Sequence, residues 1–168
     1  MTLAPKIIKR SQLAEYLNVS GVLDAPQWER IGFGVESKNT DFAPEVEEMQ
    51  YIHEDSATSN VKSYAMTSEF DIKAAKGSPV FEYLDKLRIK RAIYADADTQ
   101  VLEVRLYEPV DGEDGVFNAT MQNVAVAASS IGDAAEDPLT LSASIHGKGD
   151  PVEGTFDYNS KTFTPTAA

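Results

Sequence analysis

The pattern of apolar and polar positions predicts one helix in a chain of strands. Along Ser78–Arg91, Val80, Phe81, Tyr83, Leu84 and Leu87 recur at helical spacing and give one broad apolar face. Ser78 suits the N-cap, and Pro79 fits the first helical position, where no amide donor is needed. Glu82 and Asp85 sit towards the positive end of the helix dipole, while Lys86, Arg88, Lys90 and Arg91 crowd the negative end. The rest of the chain alternates. Thr99–Tyr107 is the clearest strand, with Leu102, Val104 and Leu106 on one face and Glu103 and Arg105 on the other. Ser68–Lys73 points Phe70 and Ile72 one way and Glu69 and Asp71 the other. Val116–Ala128 is long for a single strand and polar on both sides. Leu139–Ile145 turns Leu139, Leu141, Ala143 and Ile145 inward. Glu153–Tyr158, Asn159-Ser160 and Lys161–Thr164 read as a closing hairpin.

The first third is less regular. Residues 1–10 read as an arm. Ser11–Leu17 fits one or two helical turns, but the turn signal Asp24-Ala25-Pro26 favours a strand over Tyr16–Leu23. Trp28–Val35 is a further strand, in which Gly32 and Gly34 suggest a bulge or a close backbone approach. Trp28, the one tryptophan, is expected to anchor a core. In Glu36–Asp55 acidic and apolar residues interleave. A strand over Glu45–Tyr51, a turn over Glu54–Asn60 and a returning strand over Ser56–Tyr64 describe an extended hairpin reaching beyond its own domain. The fold class expected is mainly β: a barrel or sandwich with one flanking α-helix and a long hairpin. The expected division is an arm over 1–15 and a single domain over 16–168, with the hairpin at about 36–64 and the helix at about 78–91.

Composition narrows the function. A hydrophobic fraction of 42% in 168 residues supports a packed core and sets aside global disorder. The absence of cysteine excludes disulfides and thiolate chemistry. A formal net charge of -12 opposes binding to nucleic acid or anionic membranes. No apolar run spans a membrane, and the first residues lack the pattern of a secretory leader. His53-Glu54-Asp55 lacks the spacing of a helical metal site, and His146 stands beside Gly147 without a motif. Glu47-Glu48 reads as chance adjacency in an acidic chain, and Gly32-Phe33-Gly34 is too short for a dinucleotide loop. No catalytic residue, metal ligand or cofactor is expected. The basic cluster Lys86, Arg88, Lys90 and Arg91 fits the helix dipole or an acidic neighbouring subunit better than nucleic acid.

Four stretches carry a resemblance. They are Trp28-Glu29-Arg30-Ile31-Gly32-Phe33; Asn39 through Tyr51-Ile52-His53-Glu54-Asp55 to Val61-Lys62-Ser63-Tyr64; Lys76-Gly77-Ser78-Pro79-Val80-Phe81-Glu82-Tyr83-Leu84; and Gly149-Asp150-Pro151-Val152-Glu153-Gly154-Thr155-Phe156. In order and spacing, from about Pro26 to Thr164, the chain resembles the major tail tube proteins of long-tailed bacteriophages, most strongly those infecting Gram-positive bacteria. The resemblance implies a non-enzymatic structural protein of the virion, made in the host cytoplasm. It implies hexameric rings stacked into a hollow tube through which double-stranded DNA passes without specific binding. Implied partners are further copies of the chain and the tape-measure, tail terminator and baseplate or distal tail proteins, with no membrane. The inter-subunit hairpin would carry Phe42, Glu45, Glu47, Glu48, Met49, Tyr51, Ile52, Glu54 and Asp55. Alternatives are a tube of a contractile tail, bacteriocin or secretion system, a monomeric β-sandwich binding module, and a carboxylate hydrolase.

Overall fold

The computed structural model of the chain describes residues 4–167. Its strands are β1 (Leu13–Asn18), β2 (Trp28–Arg30), β3 (Lys38–Asp41), β4 (Glu45–Met49), β5 (Thr58–Ser63), β6 (Thr67–Lys73), β7 (Asp98–Pro109), β8 (Val116–Gly132), β9 (Thr140–Asp157) and β10 (Thr162–Pro165), with helix α1 (Pro79–Lys90) between β6 and β7. Eight strands form one sheet in the order β2-β1-β7-β8-β9-β6-β3, with β10 also on β9. Strands β4 and β5 pair only with each other. The expected fold class, mainly β with a single α-helix, is the one observed.

The frame is the β8–β9 hairpin, whose register runs from Gly132↔Thr140 to Val116↔Asp157. The free side of β9 is shared: β6 pairs with Thr140–His146 and β10 with Gly154–Asp157. The sequence suggests two strands here, Leu139–Ile145 and Glu153–Tyr158, separated by Gly147, Gly149, Asp150 and Pro151. They are one strand. Between Asn123↔Lys148 and Met121↔Val152, Gln122 of β8 faces Gly149, Asp150 and Pro151 of β9, so the turn-forming residues make a bulge. The Gln122 side chain donates to the Gly149 carbonyl at 3.1 Å and seats it.

Adjacent residues of β1 and β7 divide between two cores. Leu17 and Val101 join Phe70, Ile72, Val124, Leu141 and Ile145, with Val80, Tyr83, Leu84 and Leu87 of α1 packed among them. Tyr16 and Leu102 instead join Ala14, Trp28, Val104, Ala119 and Phe156. Both faces of these strands are buried, which is why Val101-Leu102 breaks the expected alternation. Trp28 is a core anchor, 3% exposed. Lys161 reaches Glu29 at 3.1 Å, bringing the turn before β10 against β2 and enclosing the second core.

Several element ends differ from expectation for local reasons. The first strand is Leu13–Asn18, not Tyr16–Leu23. The buried Asn18 side chain ends it by accepting from the Gln27 and Ser20 amides at 3.0 and 3.1 Å, which ties down the loop. Trp28–Val35 is a strand only as far as Arg30. Gly34, at φ +77, then approaches β6 so closely that a Cβ would lie 3.1 Å from the Lys73 carbonyl oxygen. The Ser78 side chain makes no capping bond; Glu82 reaches back to accept from the Gly77 amide at 2.9 Å. Leu139, expected inward, is exposed. At Gly154 an added Cβ would meet the Thr164 carbonyl oxygen at 2.3 Å. Gly154→Ala is therefore expected to lower stability by about 1–3 kcal/mol, read as a reduced urea midpoint, by forcing β10 away from β9.

Candidate assembly surfaces

The β4–β5 hairpin stands off the sheet. Its root is closed by the Ala65 amide donating to the Phe42 carbonyl at 3.0 Å, and every residue of both strands is exposed. Val46 faces Val61 across the ladder, and the Ser63 hydroxyl donates to Glu45 at 3.0 Å. At the tip Tyr51 stacks on His53 with ring centroids 6.0 Å apart, beside a fully exposed Ile52. The Gln50 side chain and the Tyr51 amide bond to Glu54, fixing the turn. All nine expected hairpin residues, Phe42, Glu45, Glu47, Glu48, Met49, Tyr51, Ile52, Glu54 and Asp55, lie on this projection or its root. The strands are shorter than expected, Glu45–Met49 and Thr58–Ser63, because the tip turn consumes Gln50–Ala57. An unsupported two-stranded hairpin is marginally stable in water. Val46, Met49, Tyr51, Ile52 and Val61 stand in solvent as an apolar surface that the domain itself leaves uncovered.

The basic cluster on α1 divides. Arg88 is held by Asp85 at 2.7 Å. Lys86, Lys90 and Arg91 are exposed and make no ion pair among the described residues. Ile89, Ile93 and Tyr94 beside them are 64%, 66% and 87% exposed. The sequence points to the cations of this patch but not to its apolar half, because Ile89 falls off the buried stripe and Ile93 and Tyr94 follow the helix.

A third feature was not foreseen. Beneath the hairpin root lies a cavity of about 600 Å³, lined by Phe42, Tyr64, Met66, Ile145, Gln122 and a charged group from three strands. Glu15 of β1 is paired with Lys38 of β3, whose side chain is only 4% exposed, and with Arg10 at 2.8 Å. Glu103 of β7 lies beside them. Burial pushes the Glu103 carboxyl above the ordinary glutamate range, and the Glu15 carboxylate adds to the shift. The folded chain thus holds this proton more tightly than the unfolded chain. The stability it contributes is complete below the ordinary glutamate value and lost as pH rises through the raised folded value. Glu103→Gln is expected to raise Tm at pH 7, with the two proteins converging below about pH 4. The one signal in sequence was Glu15, a lone acid inside the apolar run Leu13–Leu17.

Among the described residues no group of three or more His, Cys, Asp or Glu side chains is placed to hold a metal ion. His53 lies 3.9 Å from Glu54, and His146 hydrogen-bonds Ser144 at 3.0 Å; the two are not brought together. Among the described residues no helix is long and apolar enough to cross a membrane.

No protein-family model matches the sequence, and no curated protein matches it. Solved structures do. The chain is similar to the tail of an empty GTA particle, refined with C6 helical symmetry, at a TM-score of 0.61 and 9% identity over 94% of this chain and 99% of that one. It is similar to the SPP1 tail tube at 0.57 and 11% identity, over 88% of this chain and 78% of that one. A chain from the virion of a native gene transfer agent particle matches at 0.52 and 8% identity, over 94% and 99%. At such identities the likeness is one of fold. Over nearly its full length, this chain has the fold of tail tube proteins.

Proposed function

We propose that the protein is a structural virion protein whose copies form hexameric rings that stack into the hollow tail tube of a long-tailed bacteriophage. The observation that carries this is the exposed apolar and acidic hairpin on a tail-tube fold, a surface that its own domain leaves uncovered. The six-fold symmetry of the similar GTA tail supports the ring. The tube is that of a non-contractile tail, and the sequence motifs favour a Gram-positive host. A tube of a contractile tail, bacteriocin or secretion system is the second reading, since fold alone does not separate them. A monomeric binding module ranks below both, because its hairpin would have nothing to cover it.

The tube is made in the host cytoplasm and acts in the virion. It is capped and seated by tail terminator and baseplate or distal tail proteins, is set in length with a tape-measure protein, and conducts the genome at ejection. No enzymatic step is assigned. The chain ahead of β1 acts as an arm on a single domain; the arm is shorter than the expected 1–15, because Leu13, Ala14 and Glu15 already pair with β7. The net charge of -12 suits conduction, because duplex DNA carries about one charge per 1.7 Å and an acidic bore offers it few cations to adhere to. A stack of identical rings is a heterologous contact that does not close, so the polymer grows with concentration. Sedimentation velocity over a concentration series tests this. Boundaries that move from single subunits to species larger than a hexamer are expected, whereas a single subunit-sized boundary throughout would refute the reading.

A further inference from the structure

We infer that the acidic hairpin tip of one copy docks on the basic, apolar patch at the C-terminal end of α1 of another. The inference rests on the self-assembly reading and gives its contact a partner. The two surfaces have the same design with opposite sign. The hairpin carries Glu47, Glu48 and Asp55, none of which makes an ion pair among the described residues, around exposed Tyr51 and Ile52. The helix carries Lys86 and Lys90, one turn apart, with Ile89 between them on the same side and Ile93 just beyond. Of the acids close to them in the chain, Asp96 is exposed, Glu82 is exposed one turn before Lys86 but turns back to accept from the Gly77 amide at 2.9 Å, and Asp85 is taken up by Arg88.

Within one chain the two surfaces do not meet. All of β4 and β5 is exposed, and the hairpin's own ion pairs, Lys62 with Glu45 and His53 with Glu54, are internal to it. In a chain of net charge -12, exposed cations with no internal partner beside exposed isoleucines mark where an acidic apolar element from a second copy is favoured. Tyr51 and Ile52 would bury against Ile89 and Ile93, with the charges forming the rim. The contact joins different surfaces of two identical copies, so it propagates around a ring or along a stack.

The absence of native cysteine makes a direct test available. Ser56→Cys at the tip and Ala95→Cys beside the helix patch replace exposed residues that the contact does not use; Ala135→Cys in the β8–β9 turn is the control. Equal mixtures are oxidised with diamide. The S56C–A95C disulfide dimer is expected to dominate over S56C–A135C. Adding E47K/E48K/D55K to the first partner, or K86E/K90E to the second, is expected to lower its yield by about tenfold. Adding both sets is expected to restore it. Equal yields with the control, or no rescue by the paired reversals, would overturn the docking. Tubes seen without this disulfide would leave the assembly reading standing and this contact wrong. The disulfide without tubes would do the reverse.

Discussion

Replacing residues 44–63 with Asn-Gly is expected to abolish self-association while leaving the domain folded, with its urea-unfolding free energy within about 0.5 kcal/mol of the full chain. The hairpin gives the domain almost nothing: its strands are exposed and its ladder is separate from the main sheet. Its root is already a closed turn, through the Ala65–Phe42 backbone bond at 3.0 Å, which a short turn can keep. Shortening the connection also lowers its closure entropy slightly. What is removed is the apolar surface of Val46, Met49, Tyr51, Ile52 and Val61. Sedimentation velocity and urea denaturation, run side by side, check the two halves. Loss of the fold would mean that the hairpin is part of the domain. Undiminished assembly would mean that the contact lies elsewhere.

Lys38→Met is expected to cost about 3–5 kcal/mol, because it leaves the Glu15 carboxylate buried with half its charge partners gone. The Lys38 side chain is 4% exposed and that of Glu15 10%. Arg10, the remaining partner, is 58% exposed and well hydrated, so it offsets only part of the loss. Glu15→Leu together with Lys38→Met removes both charges and is expected to recover most of the stability, since a buried ion pair adds little over apolar groups of similar size. Urea midpoints for the two single variants and the double variant complete the cycle. A loss below about 1 kcal/mol for Lys38→Met would show that water reaches the pair. The consequence extends beyond stability. The pair ties β1 to β3, the strand that leads into the hairpin root, and so helps fix where the projection stands.

How much of this was legible follows from which interactions are local. Helix α1 could be read almost residue by residue, because 3.6-residue periodicity and end signals are properties of a short segment. Phe70 and Ile72 were equally plain in their alternation. The single strand β9 was not, since a run containing Gly147, Gly149 and Pro151 reads as a turn unless the long β8 is known to lie alongside. Strand β3 was missed for a related reason: Lys38–Asp41 has no apolar stripe and exists through its ladder to β6.

The surfaces divide in the same way. The hairpin was visible because apolar residues in an acidic stretch need a reason. Glu15, Lys38 and Glu103 are far apart in the chain, and only the sheet order brings them together. The apolar half of the helix patch was hidden because exposure of Ile89 and Ile93 depends on what the fold leaves uncovered.

Assembly into a hollow tube is open to direct observation. Electron microscopy of the purified protein, concentrated and left to stand, tests it most directly. Hollow tubes or stacked rings with six-fold end views are the expected result. Only single small particles, at high concentration and with tail initiator proteins added, would contradict it.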